Sequence, residues 1–97
     1  MSFSTHVLNA ATGRPAAGVS VRLEHEGRPV AEGRTDADGR IRDWNPGPGV
    51  YRLVFDTGEL SAFYPEVAIT FTIDDPGRHY HVPLLISPFA YSTYRGS

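Results

Sequence analysis

The chain has 97 residues, nine cationic and eleven acidic side chains and a net charge of −2, which makes one domain over residues 1–97. It has no basic footprint for nucleic acid and no polybasic patch for a membrane. It holds no cysteine, which excludes a disulfide framework, a thiol nucleophile and Cys-ligated zinc, and every cation is an arginine, which excludes Schiff-base chemistry on lysine. A chain this size buries only about 60–65% of its unfolded surface, so association with copies of itself is expected, and a binding cleft can lie between copies.

Read in chain order, Thr5 to Asn9 is the first predicted strand, and it ends at the turn Ala11-Thr12-Gly13-Arg14-Pro15. Val19, Val21 and Leu23 alternate with Ser20 and Arg22 in the second, which Glu26-Gly27-Arg28-Pro29 closes. Asp36-Ala37-Asp38-Gly39 turns the third strand into a fourth beginning at Arg40, and Asn45-Pro46-Gly47-Pro48-Gly49 then forces a loop. Tyr51, Leu53 and Phe55 alternate next. Gly58 to Tyr64 is the one stretch able to hold a short helix, and Pro65 closes it. Val67, Ile69, Phe71 and Ile73 alternate with small polar residues, and His79 to Ile86 and Ala90 to Arg95 supply the last two strands. Seven or eight short strands and one short helix predict an all-β, two-sheet sandwich. No stretch approaches the roughly 20 apolar residues of a membrane span. The start Met1 to His6 carries no leader-like pattern, so a cytoplasmic location is expected.

The most informative local feature is His79-Tyr80-His81. Residues i and i+2 of a strand share a face, so the two imidazoles project side by side, about 6–7 Å apart. Three readings stand at this point: ordinary surface histidines, a zinc site with His6 as third ligand, or general acid–base work by one imidazole. His6 shares its face with Leu8 and by itself reads as a packing histidine. Arg40, at the start of its strand, by itself reads as a solvated cation. Calcium binding at Asp36-x-Asp38-Gly39 is excluded because position twelve of an EF-hand loop would be Gly47. There is no Gly-x-Ser-x-Gly elbow, phosphate-binding glycine loop or dinucleotide fingerprint. Hydrolysis here would therefore use water activated by histidine.

Ser4-Thr5-His6-Val7-Leu8-Asn9, Thr12-Gly13-Arg14-Pro15-Ala16, Thr35 to Arg40, Tyr51 to Phe55, Phe63-Tyr64-Pro65-Glu66, His79 to Leu85 and Tyr94-Arg95-Gly96-Ser97 together resemble the transthyretin-related family, in its 5-hydroxyisourate hydrolase branch. The resemblance covers nearly the whole chain. The terminal Tyr-Arg-Gly-Ser is its most specific part, because hormone-carrying transthyretins lack both it and the site histidines. The resemblance implies a β-sandwich that dimerises through edge strands and pairs again into a homotetramer with active sites in the channel between dimers. It implies hydrolytic ring opening of 5-hydroxyisourate, with no cofactor and no metal. His6, Arg40, His81 and Ser97 match the catalytic positions, and Tyr94, Arg95 and Gly96 match the terminal substrate-binding motif. His79 is assigned a supporting or structural part, and Ser97 with its carboxylate is expected to complete a hydrogen-bonding wall. The alternative is a transthyretin-like carrier of a small ligand without catalysis. Two departures from the family pattern stand out: only Glu59 to Ala62 separate Thr57-Gly58 from Phe63-Tyr64, and the loop Asp43 to Gly49 is unusual.

Overall fold

The computed structural model describes residues 2–75 and 77–96. Its strands are β1 (Phe3–Asn9), β2 (Arg14–Pro15), β3 (Ser20–His25), β4 (Arg28–Arg34), β5 (Arg40–Trp44), β6 (Gly49–Asp56), β7 (Glu66–Ile73), β8 (Tyr80–His81), β9 (Leu84–Ser87) and β10 (Ala90–Thr93). They form two sheets: β4-β3-β6-β7, antiparallel throughout, and a six-stranded sheet built around β1. β1 is flanked by parallel β8 and β9 on one side and by antiparallel β5 and β2 on the other. Its N-terminal half thus lies between β8 and β5, the two strands that carry His81 and Arg40.

The period of two decides which side chains enter the core. Phe3, Thr5 and Val7 of β1 are buried, whereas Ser4, His6 and Leu8 between them face out and are half-buried. The inner face meets Val21, Leu23, Leu53, Phe55 and Val67 of the second sheet, together with Leu84 and Ile86. Each such side chain contributes about 1.5–3 kcal/mol by leaving water. Phe3 stacks between Trp44 and Phe71, at centroid distances of 6.1 and 5.5 Å. Thr5 is wholly buried and tolerated there because its hydroxyl donates to the Val82 carbonyl at 2.6 Å.

The all-β sandwich matches the sequence expectation in class, with two local differences. The short helix expected over Gly58 to Tyr64 is absent among the described residues. The Leu60 and Ser61 amides both donate to the Thr57 carbonyl at 2.9 Å, one turn's worth. The Ser61 hydroxyl then accepts from the Phe63 and Tyr64 amides at 3.2 and 2.8 Å, taking the donors that a further turn would need. The single strand expected over His79 to Ile86 is divided at Val82-Pro83, where proline offers no amide and the Val82 carbonyl is taken by Thr5. No helix among the described residues is long and apolar enough to cross a membrane.

Candidate active site

The turn Asp36 to Arg40 shapes one side of the site. The Asp36 carboxylate accepts from the Asp38 and Arg40 amides at 2.8 and 3.0 Å, and these bonds hold its carboxyl below the usual range. Gly39 sits at φ +77°, and a Cβ there would lie 2.6 Å from the Val7 carbonyl oxygen, so only glycine lets the turn close on β1. The Gly39 carbonyl accepts from the Val7 amide at 2.7 Å. This seating brings the Asp38 carbonyl to 2.9 Å from His6 Nε2. A carbonyl can only accept, so Nε2 carries the proton and neutral His6 keeps its lone pair on Nδ1.

Register brings the remaining groups together. His6 lies opposite Arg40 in the β1–β5 pair, and Ser4 lies beside His81 in the β1–β8 pair. Ser4 and His6 share the outward face of β1, so His6, Arg40 and His81 stand on one face of three adjacent strands. All three are half-buried. Burial holds the His81 imidazole below its ordinary value, helped by the Arg40 charge and then by His6 and His79, with the nearby Ser4 backbone acting the other way. Burial and then Arg40 lower His6 as well, against the pull of the Asp38 carbonyl and the Asp36 and Asp38 carboxylates. Both imidazoles are therefore neutral near pH 7 and able to accept a proton.

The terminal motif divides across β8. The Gly96 amide donates to the His81 carbonyl at 2.8 Å, and a Cβ on Gly96 would lie 2.5 Å from His81 Cδ2, so the glycine backbone lies directly against the imidazole. Arg95 goes to the opposite face, its guanidinium carbon 4.4 Å from the centre of the Tyr80 ring. Tyr80 is anchored in turn, its hydroxyl donating to the Asp74 carboxylate at 2.7 Å and accepting from the Asp74 and Asp75 amides. Tyr94 and Arg95 line a cavity of about 220 Å³ with Ile69, Phe71, Tyr80 and Val82, on the Tyr80 side of the strand. Of the terminal residues, Gly96 is thus brought to the histidines while Tyr94 and Arg95 are not. Ser97 lies outside the described residues.

His79 is the residue whose part the sequence left most open. It is exposed, and its Nδ1 and Nε2 lie 2.7 and 3.1 Å from the Ser2 and Ser4 hydroxyls. Its ring lies parallel to that of His81 at 6.5 Å, in agreement with the spacing expected for i and i+2 on a strand. Ser4 went unrecognised as a site residue, although it precedes His6 by one alternation and so had to share its face. Asp38 went unrecognised too, because a backbone carbonyl leaves no mark in residue type. Among the described residues, no group of three His, Cys, Asp or Glu side chains is placed to hold one metal ion.

Comparison with known proteins finds a family and relatives over nearly the whole chain. The model of the HIUase/Transthyretin family matches residues 3–96. A Salmonella dublin protein named 5-hydroxyisourate hydrolase is 44% identical over 108 aligned residues, covering 97% of this chain and 79% of the relative. That alignment is longer than this chain, so the relative carries residues that are missing here. The solved structure of Klebsiella pneumoniae 5-hydroxyisourate hydrolase superposes with a TM-score of 0.87 at 39% identity, covering all of both chains. Sea bream transthyretin, solved in complex with thyroxine, superposes at 0.82 with 30% identity, over 97% of this chain and 93% of that one.

Proposed function

This chain belongs to the HIUase/Transthyretin family, and from that premise we propose that it hydrolyses 5-hydroxyisourate to 2-oxo-4-hydroxy-4-carboxy-5-ureidoimidazoline in urate degradation. The observation that carries the reading is the meeting of His6, Arg40 and His81 on one face of β5-β1-β8, where burial and then the Arg40 charge lower both imidazoles and so favour their neutral form. A neutral imidazole is the base needed to take a proton from water attacking the ring carbonyl beside the scissile nitrogen. Such a base contributes about 10²–10⁴-fold in rate. Arg40, planar and permanently charged, pairs with the anionic substrate and stabilises the oxyanion formed by attack, a contribution of about 10²–10³-fold for one well-placed donor. Gly96 brings the terminal segment against His81, and Ser97, which follows it in sequence and lies outside the described residues, is proposed as a catalytic residue on the family resemblance alone. Tyr94 and Arg95 fasten that segment from the Tyr80 side.

The site opens on the outer face of a sheet and is completed by a second copy of the chain. Half-buried Leu8 and Leu85 lie beside the histidines on that face, and Phe63, Phe89 and Tyr91 are exposed at its end. Among the described residues, the outer edges of β7 and β10 carry no paired strand. These surfaces support a homotetramer, a dimer of dimers with the substrate in the channel between dimers.

The likeness to a thyroxine-bound transthyretin favours one rival, a carrier without catalysis. Two histidines and an arginine aimed into an apolar carrier channel would each lose hydration without a polar ligand in return. The assay that separates the two follows the decay of freshly generated 5-hydroxyisourate with and without protein. Acceleration well above the spontaneous rate is expected. Stoichiometric binding with no acceleration would establish the carrier instead.

A further inference from the structure

The hydroxyl of Ser4 lies 2.8 Å from His81 Nδ1 and 3.1 Å from His79 Nε2, and the hydroxyl of Ser2 lies 2.7 Å from His79 Nδ1. Resting on the hydrolytic reading above, we propose that Ser4 and His79 are positioning residues of a proton relay behind His81: the Ser4 hydroxyl sets which ring nitrogen of His81 carries its proton, and exposed His79 holds the charge between attack on the ring and its opening.

A serine hydroxyl has one proton and so donates to one imidazole while accepting from the other. In the first arrangement Ser4 donates to His79 Nε2, and His81 Nδ1–H donates to the Ser4 oxygen. Neutral His81 then has its lone pair on Nε2, as a base requires. In the second, His79 Nε2–H donates to Ser4 and Ser4 donates to His81 Nδ1, so His81 carries its proton on Nε2, as an acid requires. Passing one proton from His81 Nδ1 to Ser4 and one from Ser4 to His79 Nε2, as His81 gains a proton on Nε2, exchanges the two roles.

The relay follows by moving protons between these arrangements. As His81 Nε2 takes a proton from water, the Nδ1 proton passes to the Ser4 oxygen and the Ser4 proton passes to His79 Nε2. The oxygen–hydrogen bond of water breaks, the oxygen–carbon bond to the substrate forms, and the positive charge rests on His79, whose Nδ1–H donates to Ser2. When the carbon–nitrogen bond breaks, His81 Nε2–H goes to the leaving nitrogen and the two transfers run backwards. One water is consumed and the protein is restored. The location of the charge is what makes the relay useful. An imidazolium at His81 would be half-buried and face Arg40 and His6. His79 is exposed, so water solvates the same charge at less cost.

The test compares the isosteric pair Ser4→Thr, which keeps the hydroxyl, and Ser4→Val, which removes it and fills the space against a substituting water. Ser4 faces out from β1, and its backbone bond from the Val82 amide is untouched, so both variants are expected to fold, as circular dichroism will check. Ser4→Val is expected to lower kcat about 10–100-fold, the range for a group that orients a functional ligand, with KM within twofold, while Ser4→Thr stays near wild type. His79→Gln is expected to lose a similar factor, and the Ser4→Val/His79→Gln double variant to be no worse than either alone. Wild-type kcat in Ser4→Val, a change confined to KM, or single losses that multiply in the double variant would overturn the relay. Long-range ¹H–¹⁵N spectra of the free protein test the bridge without substrate. The His81 Nδ1 and His79 Nε2 resonances should both move in Ser4→Val, and unmoved resonances would overturn the proposal even if the wild type proved to have no hydrolase activity.

Discussion

Gly96 gives the sharpest perturbation because one methyl group must go where the His81 ring already is. A Cβ at this position would lie 2.5 Å from Cδ2, 3.1 Å from Cγ and 3.2 Å from Cβ of His81. Carbon atoms rest at about 3.5–4.0 Å, so relieving the closest contact takes a relative movement of about 1 Å. Gly96 has no positive φ, so Gly96→Ala adds bulk without backbone strain. Either the imidazole moves off Ser4, or the terminal segment moves off β8 and loses its bond to the His81 carbonyl. Displacing a reacting group by about 1 Å costs about 100-fold in rate. The contact lies at the end of the chain on the outer face, so stability should change by no more than about 0.5 kcal/mol. The assay is kcat/KM for 5-hydroxyisourate decay beside a thermal melt. A Gly96→Ala protein with the wild-type rate would refute the contact between the terminal motif and His81, and a loss matched by gross unfolding would refute its local character.

Other perturbations reach the remaining parts of the site. Arg40→Gln removes the second cause that lowers His6 and His81, so both should titrate higher and the acidic limb of the pH–rate profile should move to higher pH; an unmoved limb would contradict the coupling. The sign for stability follows from the same shifts. The folded state binds fewer protons than the unfolded one, so stability is full above the ordinary histidine value of about 6.5 and falls as pH drops through the lowered folded values. Melts of Arg40→Gln should show a smaller fall over that window. Gly39→Ala meets both the left-handed backbone and the Val7 carbonyl, and should cost about 1–3 kcal/mol with a loss of rate as Asp38 leaves His6; an unchanged melting temperature would show that the turn adjusts freely. Arg95→Met removes the contact with Tyr80, worth about 0.5–1 kcal/mol at an exposed site, and should lower the rate through Gly96 without altering the pH profile.

Much of the sandwich was legible because its strands are half-buried. Val19 to Leu23, Tyr51 to Phe55 and Val67 to Ile73 alternate in sequence, and they lie in β3, β6 and β7 or at their ends. The edge strand β4 carries no such pattern, being exposed along most of its length, and only the flanking turns placed it. The helix over Gly58 to Tyr64 was misread because composition does not show that the Ser61 hydroxyl would take the next two amides. Within the site, residue type and period were enough to put His79 and His81 on one face. The choice of nitrogen was illegible, since it depends on a backbone carbonyl at Asp38 and a hydroxyl at Ser4 reaching across strands far apart in sequence. Arg95 shows a further limit: alternation alone does not tell that its side chain crosses to Tyr80 while Gly96 meets His81.

The central claim is that His6 and His81 activate water on 5-hydroxyisourate. It is tested most directly by measuring the decay of that compound, freshly generated, with the wild-type chain and with His6→Ala and His81→Ala at equal folded concentration. The account predicts strong acceleration by the wild type and a loss of about 10²–10⁴-fold in each variant. A variant as fast as the wild type would remove that histidine from the mechanism, and decay unaffected by the wild-type protein would contradict the account as a whole.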